Sequence, residues 1–217
     1  MFYELLKSKG IYDKNIKYSQ VGRPITTDKL VEIAMEDEVF YKSSKGGVTI
    51  SGGEAFMQND LLLDLVKKLK EKNLHTAIET SLFTKYENIN KLFPYIDLFI
   101  VDCKHWNDML HQEKTGLSNE IILRNISQVV KNAKDYLVRI PVIPDFNYSE
   151  DDFKEFAKLF KKLGVKKVQL LPFHQYGKGK YENSGIKYEY SDKKALNDSD
   201  LEKLIHILTE EGIYAFV

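Results

Sequence analysis

The chain has 217 residues, 43% of them hydrophobic, and its 32 Lys plus Arg balance 32 Asp plus Glu. That length permits a substantial buried core, and the zero formal net charge argues against a general polyanion binder, so no nucleic-acid partner is expected. The single cysteine, Cys103, excludes an internal disulfide and a self-contained cysteine-rich metal site. No apolar run approaches the about 18 residues that span a bilayer. The charged opening MFYELLKSKG also lacks the apolar stretch of a secretory signal. A cytoplasmic protein without a membrane partner is expected.

From about residue 27, short β-rich runs alternate with amphipathic helical segments. Thr27 or Asp28 is expected to cap a helix carrying Leu30, Val31, Ile33, Ala34 and Val39 on one side. Val48 to Ile50 reads as a short buried strand that runs into Ser51-Gly52-Gly53-Glu54. Asn59 or Asp60 starts a helix with Leu62, Leu65, Val66 and Leu69 at the spacing of one face. His75 to Glu79 reads as a strand and Tyr86 to Phe93 as a short helix. Leu98 to Val101 is a continuous apolar run, the mark of a strand buried on both faces. His105 and His111 fall in an expected loop with solvated roles. Asn119 to Ala133 reads as a helix, Leu137 to Val142 as a strand, and Ser149 caps a helix through Leu163. Val168 to Leu171 is a strand, Gln175 to Asn197 a long loop, Asp198 the cap of a last helix, and Ile213 to Val217 a closing strand.

Five successive strand-helix units imply parallel strands joined by crossovers. The expected fold is α/β, an open or partial (β/α) barrel spanning residues 23–217. Residues 1–22 do not fit the repeat.

In such barrels the chemistry gathers at the carboxy-terminal ends of the strands. Here each end carries polar groups: Ser51 to Glu54, then Glu79-Thr80-Ser81, Asp102 and Lys104, Arg139, and His174. Turn chemistry accounts for Ser, Asp and Gly at such ends. It accounts poorly for Glu54, Lys104, Arg139 and His174, because a charge near a core is costly unless paired. The glycine pair lets a ligand approach the backbone. Asp102 and Lys104, two apart on an extended strand, point to one side; they form a strand-end salt bridge or meet a ligand. Lys104 could receive a carboxylate or serve as an amine nucleophile, as in Schiff-base lyases and aldolases.

The segments GGVTISGGE, HTAIETS, DLFIVDCK, RIPVIPDFN and LLPFH, in this order, resemble the activating enzymes of glycyl-radical enzymes, a group within the radical S-adenosylmethionine superfamily that includes pyruvate formate-lyase activating enzymes. The likeness runs from about Gly22 to Tyr181. It implies a partial radical S-adenosylmethionine barrel and an oxidoreductase that generates a glycyl radical on a partner enzyme by reductive cleavage of S-adenosylmethionine. It further implies that Ser51, Gly52, Gly53 and Glu54 bind the cofactor's amino group. Glu79, at a position where the family usually has Asp, and Thr80 would line the same pocket. Asp102 and Lys104 would form the catalytic Asp-x-Lys pair, with Lys104 on the methionine carboxylate; Arg139 and His174 would complete the site. Asp102 and its neighbours would also suit a monovalent cation.

The departures are as informative. The family binds a [4Fe–4S] cluster through a Cys-x3-Cys-x2-Cys loop after its first strand, and this sequence has no such loop. Residues 1–22 sit where a Cys-rich insert of many members would end, and Val21-Gly22-Arg23 resembles its tail, but no cysteines remain. Ala55 and Leu82 replace a usual Pro and Gly. The expectation is a truncated or cluster-less form that lacks the first β/α unit and is inactive alone. The alternatives are a non-catalytic nucleoside- or protein-binding paralogue, with the Tyr-rich loop and Trp106 as contacts, and a Schiff-base enzyme using Lys104. Expected partners are a glycyl-radical enzyme, a flavodoxin or ferredoxin donor for the full enzyme, and a second copy paired through an exposed sheet edge.

Overall fold

The computed structural model describes residues 24–183 and 187–217. The expectation for residues 1–22 lies outside them. Strands β1 (Gly47–Ile50), β2 (His75–Thr80), β3 (Leu98–Asp102), β4 (Tyr136–Val142), β5 (Lys167–Pro172) and β6 (Tyr214–Phe216) form one sheet in the order 1-2-3-4-5-6. Every neighbouring pair is parallel. Parallel neighbours that are also consecutive in the chain require a crossover between each pair, and helices supply it. This is the open, partial β/α barrel that the alternation predicts. Among the described residues no helix is long and apolar enough to cross a membrane.

The helices follow their apolar periodicity. Helix α1 (Thr27–Glu36) is capped by Thr26, whose side chain accepts a hydrogen bond from the Lys29 amide. It ends at Asp37, and α2 (Glu38–Ser44) starts separately. Val39 therefore leaves the α1 stripe and is 74% exposed, unlike buried Val31. The expected single helix is two. Helix α3 (Asn59–Glu71) buries Leu62, Leu65, Val66 and Leu69, as its spacing requires. Short α4 (Tyr86–Asn90) follows β2.

Two expectations fail between β3 and β4. Asp108–Thr115 forms helix α5, which precedes α6 (Glu120–Asn132). His105 and His111 are buried, not solvated. One nitrogen of each ring meets a loop carbonyl, His105 Nε2 at 3.0 Å from Phe146 O and His111 Nδ1 at 2.7 Å from Leu117 O. Buried imidazoles are tolerated where such partners satisfy them.

Helix α7 (Glu150–Leu163) begins as expected, with Ser149 Oγ accepting from the Asp152 amide at 3.0 Å. It buries Phe153, Phe156 and Phe160 completely, with successive ring centroids 5.5 and 5.6 Å apart. Each such ring contributes roughly 2–3 kcal/mol by leaving water. The long loop after β5 contains α8 (Lys178–Asn183), and Tyr181 and Tyr188 pack on each other with centroids 4.9 Å apart. Helix α9 (Asp198–Glu210) is capped by Asn197 in a reciprocal capping box with Asp200, one residue earlier than expected.

At the amino-terminal end of the sheet, Asp97 gathers three elements. Its carboxylate accepts from the Thr76 amide at 3.0 Å, Lys134 Nζ at 2.8 Å and Lys70 Nζ at 3.2 Å. Burial pushes the carboxyl up, but these bonds outweigh it and hold the pKa at about 2. A depressed folded-state value stabilises the fold above the ordinary carboxylate range, and that stability is lost as pH falls through the folded value. Asp97→Asn is therefore expected to lower stability at pH 7 and to flatten the fall in stability between about pH 4 and pH 2. Denaturant unfolding across that range checks it; an unchanged acid limb would contradict the assignment.

Candidate cofactor-binding site

At the carboxy-terminal rim, the strand ends surround a hollow of about 380 Å³. Its wall beside β1 is Ser51-Gly52-Gly53-Glu54. Gly52 has φ +138°, a conformation that L side chains rarely adopt. A Cβ placed at Gly52 or Gly53 would meet no atom within 4 Å, so the ribbon borders open space. β2 contributes Glu79, Thr80 and Ser81; β3 contributes Asp102 and, beyond it, Lys104; β4 contributes Arg139, and β5 contributes Leu171.

Parallel register sets these side chains abreast. Asp102 stands opposite Arg139, and Arg139 opposite Gln169. A chain of hydrogen bonds follows. Ser51 Oγ donates to Glu79 Oε2 at 2.7 Å, Arg139 Nη1 donates to Glu79 Oε1, and Arg139 Nε donates to Gln169 Oε1 at 3.0 Å. The Ser51 hydrogen bond, with Arg139 adding to it against burial, holds Glu79 below the usual carboxylate range. Arg139 is thus tied into the floor on both sides.

Glu54 is equally committed. Its carboxylate accepts from Thr80 Oγ1 at 2.6 Å, Ser81 Oγ at 2.6 Å, the Ser81 amide at 2.9 Å and the Phe56 amide at 3.2 Å. Burial raises its pKa, but the four bonds prevail and lower it. With its lone pairs occupied, Glu54 clamps the β1 ribbon to the end of β2, leaving the glycine backbone as the open surface.

Asp102 and Lys104 differ from these neighbours. They flank Cys103, which is 1% exposed and points into the core, so both side chains line the hollow as strand alternation requires. No hydrogen bond or ion pair within 4 Å occupies either head group among the described residues, which removes the salt-bridge reading. Burial raises the Asp102 pKa; Lys104 and Arg139 pull it back, while Glu79 and Glu54 push it up again. A half-buried acceptor and a half-buried cation, both without partners, share one wall. That arrangement suits a ligand carrying its own ammonium and carboxylate.

His174 follows β5 on the same rim but does not line the hollow. It is exposed, its Nδ1 accepts from the Tyr176 amide at 3.2 Å, and its ring lies 4.3 Å from that of Tyr176. Sequence reading placed Ser81 at the strand end without giving it a role, though it completes the Glu54 clamp, and overlooked Gln169, which holds Arg139. Gln169 left a signal: it is the polar residue between buried Val168 and Leu170 in a strand that is otherwise apolar after Lys167.

Comparison with known proteins assigns the family and the fold. The radical SAM superfamily model matches residues 10–160. The chain is 38% identical over 90% of its length to a 4-hydroxyphenylacetate decarboxylase activating enzyme of Clostridioides difficile, of which it covers 62%. It is 37% identical over 85% of its length to a choline trimethylamine-lyase activating enzyme of Oleidesulfovibrio alaskensis, of which it covers 61%. The chain thus spans about three fifths of the length of these relatives, which are activating enzymes of glycyl-radical enzymes. A crystal structure of a domain of pyruvate-formate lyase-activating enzyme from Bacteroides vulgatus superposes with a TM-score of 0.65 at 27% identity, covering 78% of this chain and 97% of that one. A radical SAM methyltransferase from Sphaerobacter thermophilus, at 18% identity and TM-score 0.68, covers 91% of this chain and 58% of its own, and shares the fold. With a model match over more than half its residues, the chain belongs to the radical SAM superfamily.

Proposed function

We propose that the hollow binds the amino-acid end of S-adenosylmethionine and that the chain is the cofactor-binding part of a glycyl-radical-enzyme activating enzyme. The observation that carries this reading is the pair of unpartnered opposite charges at the end of β3, Asp102 and Lys104. Asp102 accepts the ligand's ammonium, Lys104 meets its carboxylate, and the Gly52-Gly53 backbone lets the ligand close on the ribbon. Glu79 and Arg139 neutralise each other and set the floor beneath it, and Thr80 is held toward Glu54. S-adenosylmethionine, when bound, supplies an adenosyl group on a sulfonium centre. The protein partner is a glycyl-radical enzyme whose backbone glycine is the target, and a flavodoxin or ferredoxin is the electron donor of the full enzyme.

The family's [4Fe–4S] cluster does not fit the side chains of this sequence. Cluster iron is held by several thiolates, and this chain has one cysteine. Burial, with Asp102 adding to it, pushes the Cys103 thiol up to about 12, so it stays protonated near neutral pH. Among the described residues, no group of three or more His, Cys, Asp or Glu could hold a metal ion.

Four outcomes test this reading. Asp102→Asn is expected to weaken S-adenosylmethionine binding roughly tenfold with no loss of melting temperature, because it removes a desolvated charge without a protein partner. Binding to the wild type should also weaken as acid protonates Asp102, beginning above the ordinary carboxylate range because its pKa is raised. Calorimetric titration reads both, and undiminished affinity in Asp102→Asn would contradict the role. Glu54→Ala, in contrast, should cost about 1–3 kcal/mol of stability together with affinity, since it leaves the Thr80 and Ser81 donors unsatisfied. Incubation of this chain with iron and sulfide is expected to give no stoichiometric cluster absorbance; its appearance would overturn the misfit.

A further inference from the structure

We propose that Asn147, which does not line the hollow and lies outside the residues that meet a ligand, is the positioning residue of Lys104. The inference rests on the reading of Lys104 as the carboxylate contact. Asn147 is fully buried, and every polar atom of its amide is used. Nδ2 donates to Lys104 O at 2.8 Å and to Pro141 O at 2.9 Å, and Oδ1 accepts from the Ile143 amide at 2.7 Å. One side chain therefore ties together the segment leaving β3, the end of β4 and the turn after it. The adjoining residues double the clasp: Phe146 O meets His105 Nε2 at 3.0 Å, and the Cys103 amide donates to Arg139 O at 2.8 Å.

The turn itself is strained. Asp145 holds φ +61° without being glycine, a conformation that persists only where the surroundings fix it. The Asn147 bonds are part of that fixation. Lys104 offers a clear need for it. Its backbone is clasped on both sides, whereas its ammonium has no partner among the described residues and its side chain borders both the first hollow and a second one of about 460 Å³. A long, freely rotating side chain presents its charge in one place only if its root is fixed. Asn147 fixes the root and leaves the head free.

The test compares two probes by calorimetric titration of the full chain: S-adenosylmethionine, which has the carboxylate, and 5′-methylthioadenosine, which lacks the amino-acid end. Asn147→Ala is expected to weaken S-adenosylmethionine about tenfold while leaving 5′-methylthioadenosine within about twofold, and to add nothing in a Lys104→Met background, as coupled residues require. Equal weakening of both probes, or full additivity with Lys104→Met, would overturn the positioning role while leaving Lys104 as the contact. Unchanged S-adenosylmethionine affinity in Lys104→Met alone would instead overturn the reading of Lys104 and this inference with it. Should Asn147→Ala not fold, Asn147→Asp, which keeps the acceptor for Ile143 but loses both donors, is decided by the same ratio.

Discussion

Every polar side chain of the hollow owes its place to the register of parallel strands. Side chains alternate along a strand, so a shift of one residue in any pair would turn its contribution to the other face of the sheet. With Asp102 opposite Arg139 and Arg139 opposite Gln169, β3, β4 and β5 contribute one layer. The end of β2 brings Glu79 to the same layer, where Arg139 reaches across β3 to meet it. The apolar helices hold that register from outside: α7 locks three phenylalanines against the sheet, and Cys103 faces the core so that its two neighbours face the hollow.

Within that layer the charges divide into two kinds. Glu54, Glu79 and Arg139 have their hydrogen-bonding capacity engaged by the protein, and they build the walls. Asp102 and Lys104 have none engaged, and they carry the cost of partial burial without compensation from a neighbour in contact. A fold tolerates such a pair where a ligand completes it. The separation of roles explains why carboxylates only a few residues apart in space are shifted in opposite directions, Glu54 and Glu79 downward and Asp102 upward.

Much of this was legible in the sequence because it rests on local chemistry. The 3.6-residue spacing of α3 and α7, the apolar run of β3 and the Ser149 cap translate directly into elements. The two-residue spacing of Asp102 and Lys104 correctly placed both on one side. What was not legible depended on tertiary partners. His105 and His111 look like solvated loop residues until the Phe146 carbonyl arrives from elsewhere in the fold and the Leu117 carbonyl turns back onto His111. Glu54 reads as a ligand contact until Ser81 and Thr80 surround it. The break at Asp37 escaped notice because the apolar spacing from Leu30 to Val39 continues across it. Asn147 closes the RIPVIPDFN segment, but nothing in it marks a clasp on Lys104, a partner 43 residues away that only the fold brings to it.

The central claim is that the ligand sits at the carboxy-terminal rim, against the glycine ribbon and the β3 end. Amide chemical-shift mapping of the labelled chain during titration with S-adenosylmethionine tests it most directly. The account predicts that the largest shifts cluster at Gly52, Gly53, Ser81, Cys103 and Lys104. Shifts concentrated instead at the opposite end of the sheet, around Asn73, His75 and Lys166, would contradict it.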